Sequence, residues 1–244
     1  KARPCAAFAS AADAAMGHYQ LARLTTDAKA QYELHLKAAN GGVVRAMVAV
    51  WRAHDESNGV APDLKLAFLH LRRAAETGDP EAQWLVGYCF STGYGVGQDA
   101  KAAVDWYRRA AIQGQAAAQF NLSLKLSDPF EKFEWLSKAA DQGFAGAQFS
   151  LGCMVLHGEV FKKKDQWSRL VPDQERGEKL LRAAADQNNA DACFELAQRR
   201  NQRSERVERI KWLSRAIKLG HPGALQEIKR DYSLKDEVNR CVRM

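Results

Sequence analysis

The stretch GDPEAQWLVGYCFSTGYGVGQDAKAAVDWYRRAAIQ, residues 78–113, decides the fold. Small and apolar residues recur at helical spacing before residue 92 and again after residue 99. Between them, the run TGYGVG at 92–97 contains too many glycines for the interior of a helix. Gly114 follows the second segment, where a C-cap glycine is expected. The stretch therefore predicts a helix, a turn and a second helix.

This unit resembles the Sel1-like repeat, a relative of the tetratricopeptide repeat. The residues that carry the resemblance are Ala82, Val86-Gly87, Phe90, Gly93-Tyr94-Gly95-Val96, Asp99, Trp106 and Ala110-Ala111-Ile112-Gln113-Gly114, with valine in place of the usual leucine. The pattern recurs in six copies, at about 8–41, 42–77, 78–113, 114–142, 143–187 and 188–219, followed by a C-terminal cap at 220–244. The first copy is loose and is aligned on Ala12 and Met16-Gly17.

The resemblance implies an all-α fold, in which residues 1–244 form a single right-handed superhelical solenoid of antiparallel helix pairs. One such pair cannot bury its apolar face alone, whereas stacked pairs share a continuous core. Alanines at the crossing points let the helices approach closely. Asp63 and Asp99 lie between the turn and the second helix, and each fits either an N-cap or an acidic residue of the first turn.

The overall charge is positive, and the basic residues concentrate in one segment. The chain has a formal net charge of +7, and no run of about 18 apolar residues predicts a membrane span. Basic residues concentrate at Arg199, Arg200, Arg203, Arg206 and Arg209. This segment either binds an acidic protein, nucleic acid or a membrane surface, or is a solvated helix face, since Glu205 and Glu208 interrupt it.

The ends of the sequence and its cysteines bear on the compartment. The sequence starts at Lys1 without an apolar leader, and we expect a periplasmic or otherwise exported protein, with a cytoplasmic location as the alternative. The five cysteines include no CxxC motif, so no regular disulfide ladder is expected. Cys89, Cys153 and Cys193 fall in first helices of different repeats, where a buried thiol is ordinary.

No motif indicates catalysis. The glycine-rich run at 93–97 follows a helix and lacks a Lys-Ser or Lys-Thr, so it predicts a turn rather than a phosphate loop. The histidines form no HxxxH or HExxH pair. Neither SxxK nor KTG occurs, which argues against the β-lactamase-like chemistry linked to some Sel1-like proteins. We therefore predict no catalytic residue, no metal site and no cofactor.

Two candidate binding regions follow from the resemblance. In tetratricopeptide-type repeats the first helices line the concave side, which places there Arg45, Val48, Arg52, Trp84, Tyr88, Phe120, Leu124, Phe149, Cys153, Phe194 and Gln198. The aromatic members either form an exposed strip, as binding hot spots do, or pack between successive first helices. The long insertion at 157–172 supplies the second region, with Phe161, Lys162, Lys163, Lys164 and Trp167. This insertion is either a mobile partner-binding loop or a tolerated solvated one.

The function that these features predict is non-catalytic protein binding, as an adaptor or an inhibitor. The resemblance implies partners in signalling, secretion or envelope assembly. It also includes bacterial immunity proteins that neutralise secreted antibacterial phospholipase toxins. Nucleic-acid binding around Arg199–Arg209 is the alternative from another class.

Overall fold

The computed structural model describes residues 11–55, 63–158, 160–163, 166–169, 172–200 and 205–230. These residues form thirteen α-helices and one β-hairpin, within two compact units, Lys1–Ala118 and Gln119–Met244. The helices are α1 Ala11–Leu24, α2 Ala28–Asn40, α3 Val44–Asp55, α4 Leu64–Glu76, α5 Pro80–Thr92, α6 Ala100–Ile112, α7 Ala116–Lys125, α8 Pro129–Asp141, α9 Ala145–His157, α10 Gln174–Asp186, α11 Ala190–Gln198, α12 Arg206–Lys218 and α13 Pro222–Arg230.

Each unit is built from helix pairs. In the first unit α1 packs on α2, α3 on α4 and α5 on α6, and α2 also packs on α3 and α4 on α5. The second unit repeats the scheme, with α9 on α10 and α11 on α12. The all-α repeat fold that the sequence predicts is confirmed in this respect, with the hairpin as an addition to it.

Polar caps start the second helices. Asp27, Asp63, Asp99, Asp128 and Asp173 each accept a hydrogen bond from a backbone N–H of the first turn, at 2.7–3.0 Å. These bonds satisfy amides that the helix itself leaves without a partner. Of the two roles predicted for Asp63 and Asp99, the structure therefore shows the N-cap.

A residue in the left-handed region ends each second helix. The backbone has φ between 81° and 98° at Gly42, Gly78, Gly114, Gly143 and Gly220. In the fifth copy the same position is occupied by Asn188, with φ 63°, the one positive-φ residue other than glycine in the described ranges. Asparagine tolerates this region better than most side chains. The repeat register predicted for the helix ends is thus visible in the backbone.

Small residues mark the closest helix contacts. A Cβ added to Gly87 of α5 would lie 2.6 Å from a ring carbon of Tyr107 of α6, so these two helices cross closely at Gly87.

The first copy differs from its predicted alignment: Ala12, Met16 and Gly17 are exposed, and Ala15 is buried instead. The contact with the α2–α3 turn decides this, since a Cβ on Gly41 would lie 2.3 Å from the Ala15 Cβ.

The backbone of the insertion forms a hairpin rather than an irregular loop. Strand β1 (Val160–Lys163) pairs antiparallel with β2 (Gln166–Arg169), and Phe161 lies opposite Ser168. β1 lies beside α8.

None of the helices in the described ranges combines the length and apolar character that crossing a bilayer requires.

Candidate functional site

The first-helix face is defined here as the predicted concave-side residues of α3, α5, α7, α9 and α11. In the first unit it mixes exposed and buried positions. Arg45 and Arg52 are exposed, Tyr88 is 41% exposed and Trp84 is half-buried. Val48 is only 6% exposed and belongs to the core, so it offers a partner little surface in the free chain.

An ion pair ties the first-unit part of this face together. Arg52 of α3 donates to the carboxylate of Glu81 in α5, and both side chains are about half exposed, at 54% and 47%. An exposed pair of this kind adds little stability. Its effect is to fix the Arg52 guanidinium over the neighbouring first helix.

In the second unit the aromatic rings pack towards the next first helix. The Phe120 ring centroid lies 5.2 Å from that of Phe144. Phe194 stacks on His221 with centroids 4.3 Å apart. Phe149 and Cys153 pack against the hydrophobic core cluster to which Ala192, Cys193 and Leu196 of α11 belong.

Two further side chains complete the second-unit part of the face. Gln198 donates to Glu227 of α13, and Leu124 is 54% exposed. The second-unit rings thus contact residues of the following repeat, and their assignment to the core or to a binding strip stays a prediction. The exposed residues of the face are Arg45, Arg52, Tyr88 and Leu124, and their role in binding stays a prediction.

The insertion residues are placed by backbone alone. Phe161, Lys162 and Lys163 lie on β1, and Trp167 lies on β2 opposite Lys162. Lys164 falls outside the described residues. The hairpin therefore presents these positions on a defined ladder rather than on a free loop.

The basic segment after α11 is engaged in ion pairs within the chain. Arg200 is 6% exposed and pairs with Glu178 of α10 and, at 3.1 Å, with Glu208 of α12. Arg182 bridges the same two carboxylates, at 2.8 and 3.1 Å. A buried guanidinium needs such partners because desolvating an unpaired charge is costly.

Its neighbours are engaged in a similar way. Arg199 donates to Gln174, and Arg209 pairs with Glu227. Arg203 lies outside the described residues. The dense basic stripe that nucleic-acid binding would require is therefore not formed by Arg199, Arg200 and Arg209.

The pKa values of the carboxylates follow from this network. Burial alone would raise the pKa of Glu178, but hydrogen bonds and charge from Arg182 and Arg200 outweigh it and lower the pKa. The hydrogen bond from Arg200 is the main reason that the pKa of Glu208 is lowered. Both groups are held ionised, which suits a structural network rather than an acid–base catalyst.

A glutamine network is absent from the predictions made from sequence. Gln113 donates to the side-chain oxygen of Gln83 at 2.9 Å, and Gln83 donates to the Ala75 carbonyl of the preceding repeat at 3.2 Å. Equivalent side-chain bonds join Gln142 to Gln119 at 2.8 Å and Gln187 to Gln148 at 2.9 Å. The sequence signal that could have predicted these bonds is the glutamine that directly follows the first-helix alanine in each of these copies.

The described ranges contain no group of three or more side chains arranged to hold a metal ion. Cys89 and Cys193 are buried, and Cys153 is half-buried. Burial is the main cause that raises the pKa of Cys193, which favours the unreactive thiol form.

Comparison with protein families decides the relationship. A model of the Sel1 repeat matches residues 46–79, 80–115, 133–144, 145–189 and 190–221. The chain belongs to the Sel1 repeat family. This family is generally a non-catalytic scaffold for protein interactions. No curated protein sequence matches the chain.

Solved structures share the Sel1 fold. A Sel1 repeat protein from Oxalobacter formigenes is 25% identical, with a TM-score of 0.73 over 86% of this chain and 88% of its own. A protective antigen, c5321, present in uropathogenic Escherichia coli strains, is 22% identical, with a TM-score of 0.73 over 86% of this chain. The chain spans 47% of that antigen's length. The immunity protein PA5088 from Pseudomonas aeruginosa is 18% identical, with a TM-score of 0.54 over 85% of this chain and 82% of its own.

Proposed function

We propose that this Sel1 repeat chain is a non-catalytic module that binds another protein through its first-helix face. The observation that carries the proposal is the exposure of large side chains on that face, Tyr88 at 41% and Leu124 at 54%. On the same face, the half-buried rings of Trp84 in the first unit and Phe120 in the second add apolar surface, and aromatic side chains are enriched in binding hot spots.

A narrower proposal concerns the partner. We infer that the chain is an immunity protein that neutralises a secreted antibacterial phospholipase, and that it works in the periplasm. The fold that it shares with the immunity protein PA5088 is compatible with this role. An envelope or secretion adaptor would use the same surface, but it would not inhibit an enzyme.

The broader proposal is tested with the protein that affinity capture and mass spectrometry identify as the partner of the full chain. We expect Tyr88→Ala and Leu124→Ala each to weaken binding by about 2 kcal/mol if they are hot spots. Leu69→Ala in α4 is the matched control, since Leu69 is 55% exposed and lies on a second helix. Isothermal titration of the purified proteins measures the difference. Equal affinities for all four proteins would contradict the use of this face.

The narrower proposal has its own measurement. Purified chain should abolish the activity of an antibacterial phospholipase toxin encoded beside its gene at one-to-one stoichiometry, and co-expression of the chain in the periplasm should protect cells from that toxin. Binding without inhibition would contradict the immunity role and leave the binding module in place. Fractionation of cells that carry the full gene tests the compartment.

A further inference from the structure

A groove of about 530 Å³ lies along α1, where the α2–α3 turn and the start of α3 approach it. α1 lines it with Ala12, Met16 and Tyr19, and the turn and α3 line it with Val43, Val44 and Arg45. Most of these side chains are apolar, and Met16 is 46% exposed. The volume falls within the roughly 300–1,000 Å³ of pockets that hold small ligands, so the groove has room for a side chain of a bound peptide segment.

The groove is open because α2 ends in a residue without a side chain. Gln113, Gln142 and Gln187 are the C-cap residues of α6, α8 and α10, and each bonds to a glutamine on the first helix of its repeat. Gly41 is the C-cap residue of α2, and a Cβ there would lie 2.3 Å from the Ala15 Cβ. The first repeat therefore leaves space beside α1 that side chains fill in three other repeats.

Arg45 gives the groove a charge that the chain does not balance. It is the one charged residue among those that line the groove, it is exposed, and no described carboxylate pairs with it. Glu81 has the same place in α5 as Arg45 has in α3, the second residue of the helix, and it accepts a hydrogen bond from Arg52 of the preceding first helix. The charge is thus paired between α3 and α5, but not between α1 and α3.

The lining also indicates the class of partner. The phosphates of a nucleic acid would pair with Arg45 but would leave the apolar wall of Met16 and Val43 without a contact. An apolar wall beside one unpaired arginine matches a peptide that carries an apolar and an acidic side chain, because both surfaces are then complementary. Arg45 also belongs to the first-helix face, so the groove continues the surface proposed to bind the partner protein.

We propose that this groove binds a segment of the partner protein that presents an apolar side chain with a carboxylate beside it. This inference rests on the proposed function. The apolar side chain lies against Met16 and Val43, and the flexible methionine adapts to its shape. The Arg45 guanidinium donates to the carboxylate, as Arg52 donates to Glu81 one repeat further along the chain.

The proposal is tested on the free, full chain with 3-phenylpropionate as the probe. The methyl signal of Met16, assigned with Met16→Leu, is followed by NMR in methionine-labelled protein. We expect a saturable shift with 3-phenylpropionate and at least about threefold weaker binding of its uncharged analogue 3-phenylpropanamide, since a charge-assisted hydrogen bond is roughly twice as strong as a neutral one. Acetate, which lacks the apolar part, should give no saturable shift.

Arg45→Gln separates the charge from the apolar wall. This variant should lose the preference for 3-phenylpropionate and keep the response to 3-phenylpropanamide. It should also weaken binding of the captured partner protein by at least about threefold. Arg73→Gln in α4 is the matched control, since it removes the same charge from an exposed position on a second helix. It should leave both the probe preference and the partner affinity unchanged.

No response of Met16, equal binding of the acid and the amide, or an unchanged preference in Arg45→Gln would each overturn the proposal. Sedimentation of the free chain tests a second copy as the occupant, and a dimer that Met16→Glu dissociates would also overturn it. Loss of partner affinity in Tyr88→Ala with full affinity in Arg45→Gln would overturn this proposal and leave the proposed function in place.

Discussion

At the residue scale, Gly87 shows how little room the helix crossings leave. A Cβ at this position would lie 2.6 Å from the Tyr107 ring, so Gly87→Ala forces the ring or the helix to move. We expect a loss of about 1–3 kcal/mol in the free energy of unfolding, measured by urea denaturation. Gly17 in α1 is the control, since a Cβ added there would have nothing within 4 Å, and Gly17→Ala should stabilise by about 0.5–1 kcal/mol. Equal effects of the two substitutions would contradict this packing.

Phe120 and Leu124 separate packing from surface on one helix. The Phe120 ring contacts Phe144, and a Cβ on Gly146 would lie 3.1 Å from it. We expect Phe120→Ala to cost about 3 kcal/mol of stability, whereas Leu124→Ala should change it by less than about 0.5 kcal/mol. Thermal unfolding of both variants measures this. A stable Phe120→Ala protein would move the ring from the core to the interface.

At the element scale, ion pairs join α10, the end of α11 and α12. The pKa values of Glu178 and Glu208 are lowered from 4.5 in the folded chain. Their contribution to stability is therefore complete above about pH 4.5 and is lost as the pH falls through the folded values. We expect Glu208→Gln to flatten the acid side of the stability profile of the second unit, measured by melting temperature from pH 7 to 3.

Glu134→Gln in α8 is the control, since Glu134 is exposed and the described residues give it no ion pair. The same flattening in both variants would show that the network does not carry the pH dependence.

The hairpin connects α9 and α10, which also contact each other directly. The Asp173 N–H donates to the Val155 carbonyl at 3.2 Å, and α9 packs on α10. The equivalent connection between α7 and α8 needs only residues 126–128. We expect replacement of 159–171 by a three-residue link to leave the far-ultraviolet circular dichroism of the helices unchanged and to weaken partner binding. Unaltered affinity would identify the insertion as a tolerated one.

The helices, their aspartate caps and their glycine ends could be predicted because each depends on residues close in sequence. The role of Arg200 could not, since its partner Glu178 comes from another repeat and both lie in ordinary-looking charged segments. The α1 alignment failed for a related reason: the contact of Ala15 with the α2–α3 turn selects its buried face, and the alanine-rich segment fits more than one register.

At the scale of the whole molecule, the net charge of +7 gives a general attraction to polyanions. Because Arg200 and Arg209 are paired internally, we expect duplex DNA to bind only non-specifically, with Kd of about 10⁻⁴–10⁻⁶ M at physiological salt. Fluorescence anisotropy at several salt concentrations measures this. Nanomolar, sequence-dependent binding would restore the nucleic-acid alternative.

The glutamine pairs also make local opening observable. Each bonded side-chain amide, in Gln113, Gln142 and Gln187, bridges the two helices of its own repeat. In a stacked-repeat protein, neighbouring pairs open with different free energies. The protons of these three amides should therefore exchange with solvent at three different rates, so that one spectrum of the unmodified chain gives the order in which its helix pairs come apart.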